Sequence, residues 1–505
     1  MPGWRSSVPP GSAPARELHE GLQGGLLHVI GRQASAIVLA GLAFLALMLP
    51  AIINGSILLF PDSVGYFHAG EASIDSAGKL FGGGPGGPSS AATEASIPTL
   101  AARAEDGIST SRSVYYGIPF VALYAIGGSL AVAAAQALIV LGALLFAVPR
   151  LTGAGTRGTA VIIAAIALLG GLGMFTATAM PDMFTGLMVL AFAMLLPNWP
   201  GMSRHERTGW LLLLLAACLV HKSNLAAAAA LAGLAFVVHL ATRRSLSRPA
   251  MIAAVIAVSF VGHAAVVMTV ERLSGKPAVE APFVLARLVG DGTAKLYLDR
   301  HCPEVGLTLC RYRDRLPMTE NEFLWSHDAE RGVMHGLPVV ERAAITQEAN
   351  RLVIGALSEF PLHQIAASLR NLGRQLLCVG VTEFALGPQV DSTDPSELAG
   401  LLGRYPATPA GRRALPFDGI SAVMLGTYLV ALAVLGLASW RAGRAMAGPR
   451  REAIGWILVG LLANAAITGM ISGVFDRYQG RVAWLAILAA LAALASLTAP
   501  RSRPA

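Results

Sequence analysis

The sequence predicts an all-α polytopic membrane protein of about ten transmembrane helices, and three observations carry that prediction. Hydrophobic residues make up 54% of the 505 and charged residues 13%, with a mean hydropathy of +0.59. That is too little charge to cover a soluble chain of this length. The apolar residues are bunched into blocks of roughly 17–25, the length that crosses about 30 Å of hydrocarbon. The basic residues behind the formal charge of +8 sit just outside those blocks rather than in one patch. This is the pattern of cytoplasmic loops, and it argues against nucleic acid as a partner.

In order, the spans run from about Ala34 to Ile53, Val121 to Val148, Thr159 to Ala179, and Met183 to Leu196. They continue with Gly209–Val220, Leu225–Leu240, Met251–Val270, Ile420–Trp440, Ile454–Phe475 and Val482–Leu497. The fourth and fifth are short, which suits helices that are tilted, partly re-entrant or buried among neighbours. Residues 1–33, rich in Pro, Gly and Ser, lack a signal-peptide layout and read as a disordered cytoplasmic tail before a retained first helix.

Arg-rich loops fix the sidedness. The N-terminus, the loops Pro149–Gly158, Asn198–Thr208, Ala241–Pro249 and Arg441–Glu452, and the tail Arg501–Ala505 are expected in the cytoplasm. The opposite face then receives residues 60–119, Met180–Asp182, His221–Asn224, the long stretch 271–418, and Asp476–Arg481. The chain therefore divides into spans 1–7 (residues 34–270), the long outer loop (271–418) and the last three spans (419–499). Within the first outer loop, Pro61–Ala72 reads as ordered and Gly82–Ala92 as a mobile Gly/Pro/Ser run.

A loop as long as 271–418 is more than a connector. It holds a polar half, Arg287–Asn350, and an amphipathic helix. There Ile365, Leu369, Leu372, Leu376 and Leu377 recur at helical spacing, with Arg370 and Arg374 on the polar side. Such a helix lies in the membrane interface rather than crossing it. Of the four cysteines, Cys218 lies inside an apolar block as a packing residue. Cys302 and Cys310 share a polar stretch; whether they pair depends on the redox compartment. No internal repeat of the kind inverted-repeat transporters show is visible.

Ionisable residues at the outer ends of the spans stand out, because charge beside hydrocarbon is costly unless paired or functional. Asp62 follows the first span, Asp182 sits in the turn before the fourth, and His221 and Lys222 separate the fifth and sixth. Asp476, Arg477, Tyr478, Gln479 and Arg481 are placed in the turn between the ninth and tenth. Each has a plainer role open to it: Asp182 suits a helix N-cap, and the arginines suit lipid headgroups. Tyr66, Tyr115, Tyr116 and Tyr478 suit either a stacked sugar or the interfacial aromatic belt. In the long loop, Asp291, His301, Tyr312, Asp314 and His327 are candidates for an acceptor site, and their spacing matches no zinc template.

Asp62 after the first span, Pro181-Asp182 opening the fourth, and a basic turn between two later spans resemble the GT-C superfamily of membrane glycosyltransferases. The likeness is to the branch with protein O-mannosyltransferases, aminoarabinose transferases and lipopolysaccharide-core sugar transferases. It covers roughly Ala34–Val270, the seven-helix module of that superfamily, and its motifs are short. The resemblance implies a polyprenyl-phosphate-linked sugar as donor, a glycan, lipid or protein as acceptor, and a first-loop acidic residue as catalytic base. Asp62 matches that position and Asp182 the second acidic one. Lys222 stands where relatives carry Lys followed by Gly or Pro, but here Ser223-Asn224 follow. Relatives often carry two adjacent acidic residues in the first loop, whereas Ser63 follows Asp62, which weakens the case for a divalent cation.

In an inverting transfer, a carboxylate takes the proton of the attacking hydroxyl, and fixed positive charge meets the departing phosphate. Arg477 and Arg481 are expected there, joined by Arg287 and Lys295 if the long loop folds back. The expected activity is thus a glycosyltransferase of a bacterial inner membrane, with its site on the periplasmic face. A transporter or flippase of a lipid-linked or anionic solute, and an O-antigen ligase or polymerase-like enzyme, remain the alternatives.

Overall fold

A computed structural model describes residues 13–80, 108–109, 112–274, 278–279, 281–326, 328, 330–388, 399–442 and 448–498. The chain is an all-α polytopic membrane protein. Eight of the described helices are long and apolar enough to cross a membrane. Among the described residues, the only extended pairing beyond isolated bridges joins Ile108–Ser109 to Ala278–Val279.

Helix α1 (Ala13–Asn54) contains the first apolar span, Gln33–Asn54. It starts at Ala13, so the part of the tail from there to Gln33, expected to be disordered, is helical. Helix α2 (Pro61–Leu80) follows, then α3 (Val114–Thr152). At about 1.5 Å per residue α3 exceeds the hydrocarbon thickness by far. It breaks at Gly127 and Gly128, where Gly128 takes φ 68°. The segment before the break packs on α2 through Phe67 and Phe120, whose rings sit 5.3 Å apart. Gly70 and Gly117 permit this approach: a Cβ on Gly70 would lie 2.3 Å from the Gly117 carbonyl oxygen.

The third predicted span is interrupted, as α4 (Thr156–Leu168) and α5 (Leu172–Thr176), with Gly171 at φ 73° between them. Helix α6 (Met183–Asn198) is buried along its length, which explains why it is apolar on every side. The fifth predicted span is the 17-residue α7 (Arg204–Val220), which begins at a Ser203–Glu206 capping box. Helices α8 (Lys222–Ala241) and α9 (Ser247–Ser274) follow.

Outside the spans, α10 (Phe283–Gly290), α11 (Thr293–His301), α12 (Glu320–Trp325) and α13 (Val339–Glu359) form a small domain. It has its own core of Leu285, Leu298, Phe323, Ile345 and Leu352. Cys302 and Cys310 are joined by a disulfide. Helix α14 (Pro361–Leu377) leaves α13 at 100°. It buries Gln364, Ser368, Asn371 and Gln375 and turns Leu362, Ile365, Leu369 and Leu377 outward. Its apolar stripe therefore faces away from the protein, the orientation an interfacial helix requires. After the short α15 (Ala399–Arg404), α16 (Phe417–Ala442), α17 (Pro449–Ile471) and α18 (Asp476–Thr498) close the bundle.

The surface of the bundle inverts the soluble pattern. Ile37, Leu138, Val161, Phe260 and Val430 are exposed, while Gln136, Thr176, Asn224 and Asn464 are buried and hydrogen-bonded. Arginines gather the Arg-rich loops at one end. Arg150 pairs with Glu206 at 3.0 Å, Arg244 with Glu452 at 2.8 Å, and Arg248 donates to the Leu196 carbonyl. The loops assigned to one side from charge alone are thus in mutual contact.

Candidate functional site

At the other end of the bundle, the chain brings its predicted acidic and basic residues together. An isolated parallel bridge joins Leu58 to Thr178, with the Leu58 amide donating to Ala177 and the Ala179 amide donating to Leu58. Gln136 braces the same strip by donating to the carbonyls of Thr176 and Thr178. Asp62, four residues after Leu58, and Asp182, four residues after Thr178, are therefore carried on two segments pinned side by side.

Asp182 does not cap α6. Its backbone is helical (φ −58°, ψ −35°) and its side chain makes no capping bond. Its Oδ1 instead accepts from Arg481 Nη1 at 2.8 Å, and Arg477 Nη1 lies 3.5 Å from Oδ2. Burial alone would raise its pKa, but Arg477 and Arg481 outweigh that and hold it below the usual carboxylate range. Arg481 also donates to Asn464 Oδ1 from Nη2 at 3.1 Å, so the pair is fixed from both sides.

Asp62 lies in the first turn of α2, started by the Phe60 amide bonding to Ser63 Oγ. Its Oδ1 accepts from Arg112 Nη2, and its Oδ2 lies 3.9 Å from Arg477 Nη2. A quarter of the Asp62 side chain remains exposed, against almost none of Asp182. Arg477 is the hub. Its guanidinium sits between the rings of Phe60 and Tyr478, 4.3 and 4.7 Å from their centroids, and reaches Glu383 at 2.9 Å.

Arg477, Tyr478 and Arg481 lie in the first turns of α18 rather than in the preceding turn where the sequence placed them. Helical spacing sets Arg477 and Arg481 on one face, four residues apart, with Tyr478 beside both. Gln479 is fully buried, bonded to the same Asn464 side chain that Arg481 holds and near the Leu461 carbonyl. It braces α17 against α18 rather than lining the site.

His221 caps α8, its Nδ1 accepting from the Ser223 amide, and it senses Asp182, Arg481, Arg477 and Arg112. Burial, with Arg481 second, pushes its pKa down to about 3, so the imidazole is neutral at neutral pH. Lys222 opens the same helix. Asn224, two residues on, has a local role, because it bonds Thr185 on α6 and the Ala217 carbonyl on α7. Tyr66 is buried, its ring packed edge-on against Tyr116 at 5.1 Å, and burial raises its pKa. It supports Arg112 from below rather than offering an open stacking face. Tyr115 and Tyr116 donate to the Gly262 carbonyl and to Gln136, so both bind internal partners.

Arg287 does not join this cluster by any contact described. It is committed to Asp291 at 2.9 Å and Glu320 at 3.1 Å, and Asp291 accepts from Gln364 and Asn371 on α14. It lines a cleft of about 580 Å³ between the outer domain and the α17–α18 turn, together with Glu320, Asn371, Arg374 and Phe475. Lys295 pairs with Asp299, His301 with Glu359, Tyr312 with Glu341, and Asp314 is solvent-facing. His327 lies outside the described residues.

Two members of the site escaped the sequence. Arg112 sits just before α3, a basic residue at an outer span end, and that position was a usable signal. Glu383 had none, lying in a short 3-10 turn (Thr382–Leu386) far from any apolar block. It is brought in by Asp476, whose Oδ2 accepts from the Thr382 amide at 2.7 Å and from its hydroxyl at 2.5 Å. Phe384, wedged against Phe60 and Phe175, holds the same turn down. Among the described residues, no three His, Cys, Asp or Glu side chains converge as metal ligands.

No family model, curated protein or solved structure matches this chain.

Proposed function

We propose that the protein is a membrane glycosyltransferase of GT-C type, moving a sugar from a polyprenyl-phosphate donor to a hydroxyl-bearing glycan, lipid or protein. The observation that carries this reading is the pairing of two carboxylates from separate span ends with three arginines. Arg477 lies between Asp62 and Asp182, while Arg112 and Arg481 take the outer positions. One carboxylate is partly open and the other is locked, which divides their roles.

Asp62 is the base. As the acceptor hydroxyl attacks the anomeric carbon, its proton passes to Asp62, and the bond from that carbon to the phosphate oxygen breaks with its electrons on the phosphate. Arg477 and Arg112 rest on Asp62 and are the groups a phosphate would recruit. When an oxyanion takes their N–H groups, Asp62 is released from its ion pairs and its oxygens are free to accept the hydroxyl proton. Asp182 holds Arg477 and Arg481 in register and is a positioning residue. In the family likeness a divalent cation is an optional addition, and no step above depends on it.

The crossing pattern adds support. α4 with α5 and α7 each carry the chain from the Arg-rich end to the Asp182 end, so ten crossings fit the two-sided arrangement. The disulfide in the outer domain suits an oxidising compartment. With the positive-inside rule, it favours a bacterial inner membrane, cytoplasmic termini and a periplasmic site.

The test is turnover of a panel of polyprenyl-phosphate-linked hexoses and pentoses by protein in nanodiscs, read as polyprenyl phosphate released. Asp62→Asn should lower the rate by about 10²–10⁴-fold while donor binding persists. Full activity in that variant, or no turnover of any donor by the wild type, overturns the reading.

A further inference from the structure

Glu383 is a carboxylate that the proposed transfer does not use, yet it makes the nearest approach to Arg477. Three carboxylates face that guanidinium: Glu383 at 2.9 Å, Asp182 at 3.5 Å and Asp62 at 3.9 Å. Although close, Glu383 Oε2 and Arg477 Nε lack hydrogen-bond alignment, and both atoms are buried. The Glu383 contact is therefore poorly aligned, whereas Asp182 is locked by Arg481.

The charge balance around the hub is informative. Asp62, Asp182, Glu383 and Asp476 bring four negative charges, and Arg112, Arg477 and Arg481 bring three positive ones. Adding a phosphate oxyanion while all four carboxylates stay ionised would place excess negative charge in a buried space. The low local dielectric makes such an excess expensive. Neutralising one carboxylate lessens that excess.

Resting on the reading of this site as a phosphate site, we infer that a lipid-borne phosphate displaces Glu383 from Arg477, and that Glu383 takes up a proton from solvent as the phosphate binds. The atoms balance simply: phosphate oxygens replace the carboxylate at the guanidinium, and a solvent proton converts the carboxylate to a carboxylic acid. On product release the exchange runs backward and the proton returns to solvent.

The surroundings of Glu383 support the direction. Arg477 and Asp476 face it from α18, Asp182 from the turn before α6, and Cys378 from the end of α14. Burial, with Asp476 and Asp182 adding to it, pushes its pKa up to about 7, while Arg477 opposes. Losing Arg477 removes the opposing charge, so the pKa rises further and protonation follows near neutral pH. Thr382, held by Asp476, keeps the turn in place while the side chain exchanges partners.

Calorimetric titration of the full protein, in phosphatidylcholine nanodiscs and two buffers of different ionisation enthalpy, counts the protons bound per ligand. The probes are polyprenyl monophosphate, inorganic phosphate, and phosphatidylglycerol added to the bilayer. At pH 7.5 wild type should take up a large part of one proton more than Glu383→Gln. The arm that shows this difference identifies the source of the phosphate, and a polyprenyl-specific difference is expected. A second readout needs no variant: a protonated-carboxyl band, sensitive to deuteration, should appear in the infrared difference spectrum of the wild type on binding. Phosphate binding without linked uptake and without that band overturns the inference, as does the absence of saturable binding with every probe. Sugar transfer without linked uptake would leave the proposed function standing and remove this inference; linked uptake without transfer would do the reverse.

Discussion

The end of the bundle that carries Asp62 and the outer domain beside it both hold many charges, and they arrange them in opposite ways. In the outer domain the charges find partners within the domain and many of the pairs are solvated. Lys295 meets Asp299 one helical turn away, Arg300 and Arg311 meet Glu359 and Glu341 at the surface, Thr319 caps Glu322, and the disulfide spans 8 residues. At the bundle end, Asp182 and Arg481 are 299 residues apart in sequence and both almost wholly buried. A local, solvated pair is worth little and survives the loss of a partner. A distant, buried pair forms only when the whole fold forms, and either member alone is a charge stranded away from water.

The sharpest break of that contrast is Arg481→Leu, which leaves Asp182 buried with only the looser Arg477 contact. Loss of one partner of such a pair should cost about 3–5 kcal/mol, read as a large drop in thermal stability in detergent. Combining it with Asp182→Leu should recover part of the loss, because no charge is then stranded. Lys295→Ala, the local control in the outer domain, should change stability by less than about 0.5 kcal/mol. Equal effects of Arg481→Leu and Lys295→Ala would erase the distinction between the regions.

Smaller in size, and confined to the other region, is Cys302→Ser. Opening so short a loop should cost the outer domain about 2.5 kcal/mol by the chain-entropy relation. Because that domain has its own core, the loss should appear as faster proteolysis and hydrogen exchange within residues 281–359. Exchange in α6 and α18 should stay as in the wild type. Spread of the effect into those helices would show that the two regions unfold as one.

The same contrast decides what the sequence can reveal. Apolar blocks are local signals, so most spans and the grouping of the Arg-rich loops at one end were legible, and contacts such as Arg150–Glu206 bear the grouping out. Asp62, Asp182, Arg477 and Arg481 were legible as candidates because each interrupts or borders an apolar block. Their partners were not, since nothing local links Asp182 to Arg481. A helix cap therefore stayed open as the plainer role of Asp182, Gln479 was offered as a site residue, and Arg287 was offered to a phosphate although Asp291 and Glu320 hold it. Glu383 was invisible because its place is set by Asp476 and Phe384 across the fold. The third span breaks at Gly171, between α4 and α5, and no periodicity announces that.

Between the two regions lies α14, which borrows from both: polar residues face the protein and leucines face out. If its outer stripe meets lipid, Leu369→Ser should cost about 1 kcal/mol in a bilayer, the loss of one apolar side chain from hydrocarbon. If that stripe faced water, the same change would be neutral or stabilising. A tryptophan placed by Leu369→Trp should be quenched strongly by brominated lipid, and one placed by Arg370→Trp, one residue around the helix, less so. Both are outward positions by exposure, so only the identity of the surrounding medium separates them. Quenching that is equal at both, with no stability cost for Leu369→Ser, would detach α14 from the membrane and assign its stripe to a protein partner instead.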